Sequence, residues 1–459
     1  MKITFSGANR EVTGSCYHLE TAHQRIVLDC GMFQGGKYAE DKNSQAFPFD
    51  PAAVDNMVVT HAHFDHIGRL PKLYKEGFRG TLYGTEPTAE LAMINLRDSA
   101  KLIMEEAERH GHEPLYTADD VEPLEAMWKT VPYHKEFQIG AGVSGFMADA
   151  GHILGSASVK FVAEGEQAVF SGDLGNTPVP LLRNAECLYG ADIVVVESTY
   201  GNRIHETGTE RTSFLKDAIH EIIRTKGTLL IPAFALERTQ ELLYELNELH
   251  ATKQIPTLPI FLDSPLAIAA TEIFRQSIDF FNPEAKENLR KFGGDLFSFA
   301  GLRYTTTSEE SKHILKVQGP KIIIAGSGMM NGGRIMHHLK NYLQFPNTTV
   351  LIVGYQVEGS LGRKLHDGEK HVVIYGQEVH VKAKVKSCGA FSGHADYPRL
   401  MHWMHCFNGR PPKKVFVTHG ELNSALSFSQ SIEEELSISS GVPEYAETVD
   451  TTHLAEANA

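Results

Sequence analysis

The sequence predicts an α/β fold with more than one domain, and three observations carry that reading. Between about residues 213 and 353, segments with apolar residues at helical spacing alternate with short β-branched runs, the pattern of a mostly parallel sheet covered by helices. Histidines, aspartates and a glutamate recur where strand-like runs end, which is where open α/β sheets hold their sites. The 459 residues also exceed the roughly 250–300 at which a single core stops growing.

In chain order, residues 1–5 read as a core strand, and Ile26-Val27-Leu28 as a strand that ends at Asp29. A further strand, Met57-Val58-Val59-Thr60, runs into His61-Ala62-His63-Phe64-Asp65-His66, after which residues 67–74 form a turn and a short helix. The four metal-competent side chains of this run therefore sit on one strand-to-helix loop. His61 and His63 share a face of extended chain, whereas the adjacent Asp65 and His66 point in different directions, so two metals fit the loop better than one. Imidazole and carboxylate suit Zn, Mn or Fe, and no cysteine stands nearby to build a structural thiolate zinc site. Downstream, Ala150-Gly151-His152-Ile153-Leu154-Gly155-Ser156 and Val169-Phe170-Ser171-Gly172-Asp173-Leu174-Gly175 set a histidine and an aspartate in Gly-containing turns. The apolar run 193–196 ends at Glu197, followed by Ser198-Thr199-Tyr200-Gly201.

The middle of the chain supplies the helix–strand alternation. Residues 213–226 carry Phe214, Leu215, Ala218, Ile219, Ile222 and Ile223 at helical spacing, and Gly227 stops that helix. Strands are expected at 228–231, 259–262, 321–324 and 349–353, with helices around 239–249 and from about Leu266. Two further histidine turns follow: Phe391-Ser392-Gly393-His394-Ala395-Asp396, and Val415-Phe416-Val417-Thr418-His419-Gly420-Glu421.

The H-x-H-x-D-H run after a strand resembles the signature of the metallo-β-lactamase superfamily, a four-layer αββα metallohydrolase fold, and the turns at Asp29, His152 and Asp173 stand in that superfamily's order. The segments around Glu197, His394 and His419 resemble motifs A, B and C of its β-CASP nucleases, which cut phosphodiesters in nucleic acids. A histidine at motif C marks the subgroup that acts on RNA. Ala325-Gly326-Ser327-Gly328-Met329-Met330 and Gly354-Tyr355-Gln356-Val357-Glu358-Gly359-Ser360 resemble the inserted domain of prokaryotic homologues of the endonuclease subunit that cleaves pre-mRNA 3′ ends, more than that of ribonuclease J. The resemblance spans essentially the whole chain. It implies a metallo-β-lactamase domain in two parts, residues 1–205 and 388–459, interrupted by an inserted α/β β-CASP domain over residues 206–387.

By the same resemblance, His61, His63 and His152 hold one zinc, Asp65, His66 and His419 a second, and Asp173 bridges them for two-metal phosphodiester hydrolysis; Mn and Fe suit the same donors. Asp65, His394 and Glu197 are the catalytic candidates. His394 is expected to bind the scissile phosphate and protonate the leaving 3′ oxygen, with Glu197 favouring its cationic form. Asp29 is expected behind the ligands, orienting a histidine. Ser327, Gly328 and Arg334 are candidates for phosphate contacts at a Gly-rich turn before a helix. The implied activity is a ribonuclease, an endonuclease leaving a 3′-hydroxyl and a 5′-phosphate, with single-stranded RNA as partner. A small-molecule hydrolase for thioesters or lactones, and an inactive RNA-processing scaffold, are the alternatives.

Charge runs against a polyanion partner: 43 Lys+Arg face 57 Asp+Glu, a net of −14. Bound divalent metals reverse the field locally, and basic residues gather at Arg363-Lys364 and Lys382-Ala383-Lys384-Val385-Lys386. No separate RNA-binding module is expected, so grip should come from the cleft between the domains. The five cysteines form no C-x-x-C pair and are expected as reduced thiols in a cytoplasmic protein. No run reaches the roughly 20 apolar residues of a membrane span, and no membrane partner is expected. His110, His112, His337 and His338 are expected on the surface, and residues 451–459 as a fraying polar tail.

Overall fold

The computed structural model describes residues 1–35, 38–206 and 208–455. The first sheet is laid down by β1 (Lys2–Phe5), β2 (Tyr17–Glu20), β3 (Arg25–Leu28), β4 (Asn56–Val58), β5 (Thr81–Gly84) and β6 (Trp128–Thr130). A second begins with β7 (Glu136–Gly140), β8 (Val143–Asp149), β9 (Ala157–Ala163), β10 (Glu166–Phe170) and β11 (Ile193–Glu197). The chain then leaves for an insertion: β12 (Thr228–Pro232), β13 (Ile260–Leu262), β14 (Leu302–Tyr304), β15 (Lys321–Ala325), β16 (Thr348–Ile352), the hairpin β17 (His371–Ile374) and β18 (Gln377–His380), and β19 (Lys384–Ser387). It returns through β20 (Lys414–Thr418), β21 (Ser440–Gly441) and β22 (Thr448–Asp450).

The strand orders show how one fold surrounds another. The first sheet runs β22-β1-β2-β3-β4-β5-β6 and the second β21-β20-β11-β10-β9-β8-β7, so the last three strands complete both. Period-two alternation splits each strand between two cores. Ile193 and Val195 of β11 face Phe5, Leu28 and Phe161 between the sheets. Val194 and Val196 face outward onto Leu400 and Met404 of helix Tyr397–Met404 and Phe428 of helix Leu422–Leu436. On the opposite side, Val27, Met57 and Leu82 pack on Leu91 and Leu96 of helix Glu86–His110. Helix, sheet, sheet, helix is the αββα order.

The inserted sheet runs β14-β13-β15-β12-β16-β19, with every pairing parallel. Its first helix spans Gly208–Thr225, starting before the expected 213 and burying Leu215, Ala218, Ile219 and Ile222 as expected. Among the described residues no helix is long and apolar enough to cross a membrane.

Three expectations need correction. Cys187 and Cys406 form a disulfide with Cα atoms 5.7 Å apart, while Cys16, Cys30 and Cys388 are free and buried. A separation of 219 residues hides that pair from any spacing rule. The packing that brings them together is Trp403, whose Nε1–H donates to the Glu186 carbonyl at 3.1 Å. His338 is buried rather than on the surface, 2.7 Å from Asp263, whereas His337 one residue earlier is exposed. Thr451 does not fray: it is buried, its hydroxyl donates to the Met1 carbonyl, and residues 451–455 form a 3₁₀ turn. Residues 456–459 lie outside the described residues.

Candidate metal centre

β3 and β4 are parallel, as are β10, β11 and β20, and their C-terminal ends converge. Asp29 follows β3, His61 lies beyond β4, Asp173 beyond β10, Glu197 closes β11 and His419 follows β20. The 61–66 loop is clamped by backbone. Ser15 N–H donates to the Asp65 carbonyl and Cys30 N–H to that of His66. Gly31 is a glycine because a Cβ there would stand 1.5 Å from the Asp65 carbonyl oxygen. Behind it, buried Arg69 donates to the Gly31 carbonyl and stacks over Phe33 and Phe47 at 4.6 and 5.2 Å.

Two donor sets meet at one carboxylate. His61, His63, His152 and Asp173 bring ligand atoms within 4.8 Å of one another, and so do Asp65, His66, Asp173 and His419. Asp173 Oδ2 is 3.5 Å from His61 Nε2 and 3.6 Å from His152 Nε2, whereas its Oδ1 is 3.3 Å from His66 Nε2 and 3.6 Å from His419 Nε2. One oxygen thus faces each pocket. The backing hydrogen bonds fix the tautomers so that lone pairs point inward. Thr60 gives its hydroxyl proton to Asp29 and so accepts from His61 Nδ1–H at 3.1 Å. His66 Nδ1–H donates to Asp29 at 2.7 Å, and His152 Nδ1–H to the Gly393 carbonyl at 2.9 Å. Thr199 donates to the His419 carbonyl and accepts from His419 Nδ1–H.

The unsatisfied atoms test whether metal belongs here. His61 Nε2 and both Asp173 oxygens are buried without a hydrogen bond. His63 Nδ1 faces His152 Nε2 at 3.1 Å, and His66 Nε2 faces His419 Nε2 at 3.3 Å. Lone pairs converging on orphaned carboxylate oxygens are costly when buried, and divalent cations of the zinc type satisfy them. Burial and neighbouring imidazoles lower His61 and His152, and burial lowers His63 to about 4, so these three are neutral, as ligands must be. Burial also opposes charge on His66, but Asp173 and Asp29 override it and raise its pKa.

His394 and Glu197 form the third cluster, with His419 beside them. Glu197 is buried at the end of β11, its carboxylate accepting from Leu174 N–H at 2.7 Å and Thr199 N–H at 3.2 Å. His394 Nδ1 lies 3.2 Å from Glu197 and 3.8 Å from Asp173. Burial pulls His394 down, yet Glu197, Asp173 and Asp65 raise it to about 9, so it carries a proton at neutral pH. A group so placed can donate a proton beside the metal pockets.

The phosphate candidates lie apart from the histidines. Gly328 packs under the Phe234 ring, which stands 6.5 Å from His63, so the Gly-rich turn borders the cleft. Ser327 Oγ accepts from Asn331 N–H within its own turn. Arg334 is engaged by Asp263 at 2.7 Å and by the carbonyls of Thr305 and Thr306. Part of the basic run is paired: Lys384 and Lys386 share Glu221, and Arg363 pairs with Asp367. Sequence reading missed Thr199, which couples two histidines, and the Tyr200–Tyr355 edge-on pair at 5.7 Å across the domain boundary. Thr199 stands only two residues after Glu197, but its partners His394 and His419 come from remote turns.

Comparison with known proteins gives three family matches: the metallo-beta-lactamase superfamily over residues 9–193, the Beta-Casp domain over 239–365, and the Zn-dependent metallo-hydrolase RNA specificity domain over 378–443. The chain is 39% identical to "Ribonuclease TTHA0252" of Thermus thermophilus, covering 94% of this chain and 95% of that one. It is 31% identical to "RNase J-like protein" of Methanocaldococcus jannaschii, over 96% of this chain and 97% of that protein. Identity is 29% with "Transcription termination factor FttA" of Methanosarcina mazei, over 98% of this chain and 71% of that protein. A crystal structure of a protein of unknown function from Enterococcus faecalis V583 matches with a TM-score of 0.54 at 11% identity, over 98% of this chain and 99% of that one, a likeness of fold alone.

Proposed function

This chain belongs to the metallo-β-lactamase superfamily and to its β-CASP branch, and from that premise we propose that it is a zinc-dependent ribonuclease that hydrolyses phosphodiesters of single-stranded RNA with two metal ions. The observation that carries the reading is the pair of donor sets joined at Asp173, with His394 held by Glu197 alongside. His61, His63 and His152 would hold one ion, Asp65, His66 and His419 the other, and Asp173 both. When bound, two such ions supply an activated water and neutralise charge gathering on the phosphate.

The chain's own residues do the rest. Asp29 keeps His66 in the tautomer that offers Nε2 inward, and Thr199 does the same for His419. Glu197, pinned by two backbone N–H groups, holds the His394 ring and its proton. His394 then passes that proton to the departing 3′ oxygen, leaving a 3′-hydroxyl and a 5′-phosphate. Phe234 and Tyr355, both part-exposed, are the rings on which bases would stack, a contact that needs no positive surface. That division of labour suits a chain of net charge −14, whose affinity comes from metals and stacking more than from surface lysines.

The test uses purified protein with 5′-labelled and internally labelled single-stranded RNA, matched DNA, and lactone and thioester substrates, each with and without chelator. The reading expects about two zinc ions per chain, RNA cleaved well ahead of DNA and of the small substrates, and loss of activity with chelator. Label position tells internal cleavage from 5′ trimming. Equal cleavage of DNA ends the RNA assignment, and metal at one pocket only ends the two-metal mechanism.

A further inference from the structure

Glu237, in the inserted domain, adopts a backbone that non-glycine residues avoid. Its φ of 69° and ψ of −62° close a tight turn in which Arg238 N–H donates to the Leu236 carbonyl at 3.0 Å. This is the rare, strained hand of the γ-turn, and such strain persists only where surrounding contacts impose it. The side chain shows what they are. Glu237 is buried, and its Oε2 accepts from Leu154 N–H at 2.9 Å, across the boundary between the domains. Leu154 lies two residues beyond the candidate ligand His152.

The rest of the junction points the same way. Arg238, also buried, pairs with Glu241, and Arg211 with Glu241 and Glu245, all within the inserted domain. From this charged cluster Arg211 stacks over Phe391 at 4.7 Å, and a guanidinium nitrogen of Arg238 comes within 3.5 Å of where a Cβ on Gly393 would lie. His152 Nδ1 bonds the Gly393 carbonyl. One end of the inserted domain therefore touches both the His152 loop and the His394 loop, and those loops are tied to each other.

We propose that Glu237 is a positioning residue through which the seated inserted domain fixes the loop carrying the metal ligand His152. The proposal rests on the metal-binding reading above. The turn presents the carboxyl to Leu154 N–H only while the two domains are in contact, so separating them removes this hold on the loop. Burial beside Glu241 pushes the Glu237 carboxyl well above its usual range, so a neutral amide is its closest mimic.

The test measures hydrogen exchange over residues 151–156 in the metal-free full chain, zinc loss from the loaded protein to a chelator, and the split of kcat from KM on RNA. Glu237→Ala is expected to speed exchange and zinc loss, and to lower kcat with little change in KM. The expected scale is roughly 10–100-fold, as for other groups that orient a metal ligand. Glu237→Gln, which keeps an acceptor for Leu154 N–H, is expected within about threefold of wild type. Glu237→Gly tolerates the turn without strain and tests the same contact should the alanine variant fail to fold. Wild-type exchange and zinc retention in the alanine or glycine variant would overturn the proposal, as would a glutamine variant as impaired as glycine. Exchange needs no RNA, so a wild-type protein that cuts no RNA counts against the proposed function and not against this contact.

Discussion

Glu197 with His394 in the metallo-β-lactamase half and Asp263 with His338 in the insertion are both carboxylate–histidine pairs at the ends of parallel strands, and their surroundings are opposite. Asp263 accepts from Thr305, Arg334, Ser311 and His338, two donors to each oxygen, within 2.6–2.8 Å. Both carboxylate oxygens are filled, and the one unfilled atom of the pair is the buried His338 Nδ1. Glu197 likewise has its oxygens taken by backbone, but its histidine is part-exposed and stands beside Asp173, whose two oxygens have no partner. The same chemical pair is a rivet in one place and a proton donor in the other. What separates them is whether a carboxylate with unfilled oxygens stands beside the pair, as Asp173 does beside His394.

The largest expected effect lies where the unfilled valences are. Asp173→Ala removes the oxygen that faces each pocket, so metal analysis should find both ions reduced and cleavage at assay background. Wild-type thermal stability should rise with added zinc, because a ligand that binds only the folded state stabilises it. The variant should lose that response. A variant that retains both metals would place the bridge elsewhere.

Next comes His394→Ala. It should keep both metals and lower cleavage by about a hundredfold or more, the scale of a lost general acid, with thermal stability nearly unchanged. Loss of metal in this variant would make His394 a ligand, and near wild-type turnover would make the Glu197 pair a second rivet.

How far the chain discloses this contrast depends on distance along it. The cluster from His61 to His66 sits on one loop, so its period and its strand-to-helix setting announced the site, and the apolar alternation from Leu215 to Ile352 announced the inserted sheet. Which side Asp173, His394 and His419 face depends on turns remote in sequence, such as the 197 residues between Glu197 and His394 and the 354 between Asp65 and His419, and no local rule links them; the resemblance to a family supplied the link. The surface histidine reading failed at His338 because a helix face packs against Asp263, some 75 residues earlier. The thiol reading failed at Cys187 and Cys406 for the same reason. A basic run is legible, but its partner Glu221 is not.

Asp263→Ala tests the rivet. Removing one member of a buried charged network leaves Arg334 and His338 without their partner, a loss of about 3–5 kcal/mol, while kcat per folded molecule stays near wild type. Burial opposes charge on Asp263, but His338, Ser311 and Arg334 outweigh it and hold the carboxyl at about 2. Its folded value lies below the unfolded one, so its stabilisation is complete above about pH 4 and lost as pH falls towards 2, on the order of 2 kcal/mol. Acid unfolding of the variant should be shallower over that window. An unchanged acid limb, or a large fall in kcat, would break the contrast between the two pairs.

The smallest effect is expected at Lys384 and Lys386, which share the single carboxylate of Glu221. Exposed pairs of this kind contribute about 0–1 kcal/mol, so the double alanine variant should unfold within about 1 kcal/mol of wild type. The informative readout is RNA binding against salt. Each lysine that neutralises a phosphate adds nearly one unit to the slope of log affinity on log salt, about 0.7 for a single strand. If filled valences are silent, the slope is unchanged in the variant. A slope shallower by about 1.4 would mean that RNA displaces Glu221 and that this run forms part of the track, which would extend the chemistry from the strand ends onto the edge of the inserted sheet.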